Sequence, residues 1–228
     1  MKFDAIFFDV DGTLVENSGL MPKSLQKAFA RLGMQIEIVP WIGSGKVDYQ
    51  IINLFLDKFP EISEEEKPVL AEKLSELEIE EVRAALAARG LKANPGVPEL
   101  IEKLKANNIS FGLLTGNMQA IVKPKLEAAG LCFEDFKYGG FGDHSPMRRV
   151  TAQRALESAA AFLGKAPQSL RCLVVGDTPN DIDCAHGIGA EVLAVAAGEV
   201  PSDTLKQCDP DYFLENFENI DAFFRILE

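Results

Sequence analysis

Apolar positions along this chain follow two different rhythms. The opening "FDAIFF" is a continuous apolar run of the length of one buried strand. From there to Gly90 the spacing is helical. Leu25, Ala28, Phe29 and Leu32 share one face, and Val47, Ile51, Leu54 and Phe55 share another. A third helix is predicted within "SEEEKPVLAEKLSELEIEEVRAALAARG", acidic early, basic late and closed by Gly90, as helix ends prefer.

After Gly90 helix and strand alternate. "NPGVPELIEKLKANN" reads as a helix, "ISFGLLTGN" as a strand ending in a turn, and "MQAIVKPKLEAAG" as a helix. Ala152, Ala155, Leu156, Ala159 and Leu163 mark another helix, followed by the strand "LRCLVVGD", the short helix "PNDIDCAHGIG" and the strand "EVLAVAAG". The chain ends with "YFLE" and the amphipathic "FENIDAFFRILE". Such alternation predicts an α/β fold, a Rossmann-like parallel sheet with helices on both faces. The helical block then reads as an insertion after the first strand. The expected division is a core of residues 1–15 and 91–228 and a helical domain of residues 16–90.

Composition narrows the picture. With 228 residues, 47% of them hydrophobic, the chain can bury a substantial core. Its 35 acids against 23 Lys and Arg give a formal charge of −12, which disfavours a nucleic-acid surface. The cysteines Cys132, Cys172, Cys184 and Cys208 lack zinc-site spacing. No apolar run is long enough to span a membrane, and Asp4 and Asp9 interrupt any signal-peptide core, so a soluble cytoplasmic protein is expected.

Chemistry collects at three predicted strand ends: Asp9-Val10-Asp11-Gly12-Thr13, Thr115-Gly116-Asn117, and Gly176-Asp177-Thr178-Pro179-Asn180-Asp181. Ligands of open α/β sheets bind at such ends. If the strands are neighbours, Asp9, Asp11, Asp177 and Asp181 converge, and their mutual repulsion calls for a cation. Hard oxygen donors suit a divalent ion, Mg²⁺ when phosphate is also present. Plainer readings exist: Thr178-Pro179-Asn180-Asp181 is also a good helix start, and Thr115-Gly116-Asn117 an ordinary turn. The paired aspartates at the first strand end have no such plain reading.

The motifs "DVDGTL", "LLTGN" and "GDTPND" resemble three of the four motifs of the haloacid dehalogenase superfamily, in particular its phosphatases similar to phosphoglycolate phosphatase. The resemblance covers nearly the whole chain, and residues 16–90 resemble that branch's helical cap. It implies a Mg²⁺-dependent phosphatase of a small phosphorylated metabolite. Asp9 would be the nucleophile and Asp11 the general acid, then base. Metal ligands would be Asp9, Asp177, the backbone carbonyl of Asp11, and Asp181 directly or through water. Thr115 and the amides near Gly116 and Asn117 would hold phosphate oxygens. Dehalogenases lack an acid where Asp11 stands, because halide leaves without a proton.

One motif departs from the family pattern, which places a Lys, often before Pro, beside the nucleophile. Lys123-Pro124 comes too early in the order. At the expected place stand Arg148 and Arg149, which resemble a variant group carrying Arg; Arg148 is the favoured candidate and Arg149 the alternative. In the helical block, Gly43, Gly45 and Lys46 precede a helix and could bring amides and a cation to the substrate, with Trp41 a packing residue. His186 reads as structural, and His144 as a loop residue that could flank the site. Two other functions fit part of the pattern: a phosphomutase on the same scaffold, and a receiver-like phospho-acceptor domain, which would be shorter and lack the second aspartate. A monomer or homodimer is expected; the substrate is not legible.

Overall fold

The computed structural model describes residues 1–38, 45–143, 145 and 147–228; Trp41, Gly43 and His144 lie outside them. Six parallel strands form one sheet: β1 (Ala5–Phe8), β2 (Phe111–Leu114), β3 (Gly139–Gly140), β4 (Cys172–Gly176), β5 (Glu191–Val195) and β6 (Tyr212–Leu214). Their spatial order is β3-β2-β1-β4-β5-β6, the doubly wound arrangement. The chain runs outward in one direction from β1 to β3 and in the other from β4 to β6. The crevice where that direction reverses therefore opens at the ends of β1 and β4.

Both faces of the sheet are covered, which explains the continuous apolar strands. Successive residues of β1 point to opposite sides. Ile6 and Phe8 join one apolar cluster, packed by α4 (Val97–Ala106), α5 (Gln119–Ala128) and α9 (Ile220–Leu227). Ala5 and Phe7 join the other, packed by α6 (Arg148–Leu163), α7 (Pro179–Gly187) and α8 (Ser202–Gln207). Two elements escaped the sequence reading. The short α8 buries only Leu205, too little for a periodic signal. Strand β3 is two glycines, and a Cβ at Gly140 would collide with the Thr151 carbonyl of α6, so close helix packing replaces apolar side chains there.

Among the described residues, three helices stand between β1 and α4: α1 (Leu20–Arg31), α2 (Asp48–Leu56) and α3 (Lys67–Arg89). They have their own apolar cluster, including Leu25, Phe29, Ile52, Phe55, Leu74 and Leu77. Further along α3, Val82 and Leu86 leave that cluster and join the main core. Glu78 falls on α3 between the two, buried at 3% exposure.

Candidate active site

Strand β1 delivers Asp9 to the crevice, and its amide continues the ladder by donating to the Val175 carbonyl at 2.9 Å. The chain then turns at once. Gly12 takes a φ of +80°, and a Cβ there would overlap the Asp177 carboxylate, so only glycine lets the first motif close against the end of β4. A Cβ on Gly198 would also overlap the Asp177 carboxylate. Thr13 Oγ1 donates to Asp177 Oδ1 at 2.9 Å. Buried Asn94 stitches the loop together, its Nδ2 donating to the carbonyls of Gly12 and Thr13 at 3.0 and 2.9 Å.

At the start of α7 the helix-cap reading and the site reading both hold. Thr178 and Asp181 form a reciprocal capping box, with the Thr178 amide donating to Asp181 Oδ2 at 3.0 Å. That cap fixes Asp181 in a rotamer whose other oxygen meets Arg148 Nη2.

Asp9, Asp177 and Asp181 each offer one oxygen, all within 4.8 Å of one another, and all three are buried. Burial, then the charges of Asp181 and Asp11, push the Asp9 carboxyl up to about 7, against the pull of Arg148 and a Thr115 hydrogen bond. Burial, with Asp181 and Asp9 beside it, raises Asp177 well above the usual carboxylate range. Three carboxylates packed this closely form a site a divalent cation fits: its charge offsets their mutual repulsion and it takes oxygen donors.

Asp11 does not share that cluster. Its carboxylate turns to Lys125 Nζ, which donates to Oδ1 and Oδ2 at 2.8 and 2.6 Å. Lys125 is fully buried on α5 and also donates to Asn117 Oδ1 at 2.6 Å. The Asn117 side chain is thus engaged inward, with Nδ2 3.5 Å from Asp48 Oδ1. Asp48, first residue of α2, accepts from the Met118 amide at 2.9 Å. Burial outweighs Lys125 and that amide and lifts Asp48 to about 7.

Of the two candidate arginines, Arg148 enters the site and Arg149 is exposed. Arg148 Nη2 lies 3.6 Å from Asp9 Oδ1, and Nη1 donates to the Gly45 carbonyl at 2.8 Å. Its buried Nε–H has no hydrogen-bond partner among the described residues. Lys123, two residues before Lys125, is a surface residue paired with Glu134 at 2.6 Å. His186 lies near Asp211, 3.4 Å away, at the exposed end of α7.

The helical insertion closes directly over these strand ends. The Asp48 amide donates to the Gly116 carbonyl at 2.8 Å, and a Cβ on Gly116 would strike the Lys46 carbonyl. Between insertion and sheet lies a cavity of about 290 Å³. Asp9, Asp11, Thr115, Gly116, Asn117, Lys46, Arg148 and Asp177 all reach it. Sequence reasoning missed Lys125, Asp48, Glu78 and Asn94. Lys125 and Glu78 had one available signal: each falls at an apolar-face position of its helix.

A family model for haloacid dehalogenase-like hydrolases matches residues 3–189. The chain belongs to that family. It is 26% identical to pyrophosphatase PpaX of Oceanobacillus iheyensis, covering 96% of both chains. To hexitol phosphatase A of Escherichia coli it is 26% identical, over 96% of this chain and 94% of that one. To phosphoglycolate phosphatase of Salmonella typhimurium it is 24% identical, over 94% and 90%. Its fold is similar to that of CbbY from Rhodobacter sphaeroides in complex with phosphate, with TM-score 0.76, 21% identity and 96% of each chain covered. The family is one of hydrolases, and these relatives are named for phosphatase activity. No helix among the described residues is long and apolar enough to cross a membrane.

Proposed function

We propose that this chain is a Mg²⁺-dependent phosphatase of small phosphorylated metabolites in the cytoplasm, working through an aspartyl-phosphate on Asp9. The observation that carries the reading is the division of labour among the aspartates. Asp9, Asp177 and Asp181 form one tight cluster, while the Asp11 carboxylate stands outside it, on the cavity wall, held by Lys125.

Asp9, Asp177, the Asp11 backbone carbonyl and Asp181 would hold the cation, which supplies charge neutralisation for the carboxylates and the phosphoryl oxygens. An Asp9 oxygen attacks phosphorus, the phosphorus–oxygen bond to the leaving group breaks, and that oxygen takes a proton from Asp11, which enters this step in its acid form. Asp11, now a carboxylate, takes a proton from the water that attacks the phospho-aspartate, releasing phosphate and restoring Asp9. Arg148 stabilises the charge on the transferred group from its position beside Asp9. Thr115 and the amides of the turn after it bind phosphoryl oxygens. Residues 16–90 act as a cap that excludes water from the closed site.

Purified protein should release phosphate from phosphomonoesters with Mg²⁺, stop in EDTA, recover on adding Mg²⁺ and recover poorly with the larger Ca²⁺. Full turnover in chelator would remove the metal from the proposal. Return of the phosphoryl group to a sugar, with no phosphate released, would mark a phosphomutase instead.

A further inference from the structure

The cavity has an end that the phosphoryl chemistry does not use. Glu78, buried on α3, lines it, and its Oε2 is buried without a hydrogen-bond partner among the described residues. Buried polar oxygens are almost always paired, so an unpaired one beside a cavity marks a place where a ligand completes the bonding. Burial, then the neighbouring Asp48, raises its carboxyl well above the usual range, with Lys125 acting the other way.

Carboxyl groups outnumber cations along the cavity wall. Asp11, Asp48, Glu78 and Glu199 line the cavity, and its cations are Lys46 and Arg148, the latter engaged by Asp9 and Asp181. Lys125 lies behind, bound to Asp11 and Asn117. Leu25, Ile51 and Phe55 supply apolar wall. A carboxylate or a second phosphate on the leaving group would repel these carboxyls where they are ionised and gain no charge attraction from them where they are neutral. A hydroxyl is accepted in both cases, because it exchanges hydrogen bonds with a carboxyl in either protonation state.

Resting on the phosphatase reading above, we propose that Glu78 is a specificity-determining residue, and that it selects phosphomonoesters whose leaving group is an uncharged, hydroxylated chain. The preferred substrates are then polyol phosphates, and esters carrying a second anionic group are disfavoured. A site built to bond a hydroxyl discriminates strongly, because an analogue without one leaves the buried group unpaired.

The test measures phosphate release with Mg²⁺ from glycerol 3-phosphate, sorbitol 6-phosphate, phosphoglycolate, pyrophosphate and O-phosphoethanolamine. The wild type, Glu78→Gln and Glu78→Leu are compared, with thermal melting to confirm folding. The wild type should favour at least one polyol phosphate over both phosphoglycolate and pyrophosphate by about tenfold or more in kcat/KM. Glu78→Leu should erase most of that ratio, chiefly through KM for the polyol esters. Glu78→Gln should retain part of it, and carries the test alone if the leucine variant fails to fold. Wild-type preference for phosphoglycolate or pyrophosphate overturns the proposal. So does a uniform loss on all substrates in the Glu78 variants, the mark of a structural role. Preference for the amine shows charge attraction and overturns it too. If the panel is inert but p-nitrophenyl phosphate is turned over, only the polyol class falls. If p-nitrophenyl phosphate is inert as well, the phosphatase reading falls with it.

Discussion

The two ends of the cavity are built from different kinds of sequence. At the phosphoryl end, Asp9, Asp177 and Asp181 sit on the ends of the adjacent strands β1 and β4 and on the cap of the next helix. At the leaving-group end, Asp48, Glu78 and Lys125 come from three separate helices and meet only because the insertion closes over the sheet. The first end depends on two short segments, each contiguous in the chain, that one pair of adjacent strands brings together. The second depends on tertiary docking. On the proposed function, the chemistry lies in the first and the selectivity in the second.

The sharpest way to break this division is to exchange the roles assigned to the first-motif aspartates. Asp9→Asn should give no phosphoenzyme and no measurable turnover, since the amide cannot attack phosphorus. Asp11→Asn keeps the nucleophile and loses proton transfer, costing about 10²–10⁴-fold in kcat. Acid-quench trapping of phosphoenzyme separates the two, and equal mild losses would contradict the separation of Asp11 from the carboxylate cluster.

Arg148 and Arg149 make a smaller contrast on one helix. Arg148→Ala removes a guanidinium 3.6 Å from Asp9 and should lower kcat by about 10²–10³-fold. The loss should include destabilisation, because Asp181 loses its buried partner. Exposed Arg149→Ala should leave kcat near wild type. Lys at 148 should recover only part of the rate, because a point charge lacks the planar fork. A reversed ranking in steady-state kinetics would move the phosphoryl role to another cation.

How much was legible follows the same line between the two ends. The order of helices and strands could be read because doubly buried strands are apolar without interruption and helices repeat at their own period. The first and last motifs could be read because one short segment holds both the turn and the chemistry. Strand β3 could not, since two glycines carry no pattern and owe their place to α6 pressing on them. Lys125 was passed over beside the more conspicuous Lys123-Pro124, although it falls on one buried face with Ile121, Val122 and Leu126. Glu78 lies among Leu74, Leu77 and Val82 in the same way. A charged residue on an apolar face is a visible anomaly, but its partners come from other elements, and the sequence does not say which.

Lys125 therefore tests whether the leaving-group end assists the reaction. It fixes the Asp11 carboxylate with two hydrogen bonds from within the protein. Lys125→Met keeps the aliphatic volume and frees Asp11 to turn, which should lower kcat by about 10–10²-fold through misplacement of the proton donor. An unchanged kcat with only a lower melting temperature would reduce Lys125 to a structural role.

The smallest expected effect is on stability, and it compares the two ends directly. Asp9 and Asp48 are lifted to about 7, and Asp177 and Glu78 well above their ordinary values. Unfolded, these groups titrate near pH 4, at about 3.9 for Asp and about 4.3 for Glu. Between about pH 4 and about pH 7 the native protein therefore holds protons that the unfolded chain has released, so stability falls as pH rises through that window. Metal-free protein should melt lower at about pH 7.5 than at about pH 5, by roughly 5 °C or more. Mg²⁺ binds ionised carboxylates, so its stabilisation should grow with pH and offset the part of the slope that Asp9 and Asp177 cause. It cannot offset the part from Asp48 and Glu78, which lie outside the cluster. A residual slope should thus persist at saturating Mg²⁺ and shrink in the Asp48→Asn, Glu78→Gln double variant. A saturated wild type with no slope would mean that the cation, or a charge it recruits, reaches the leaving-group end too.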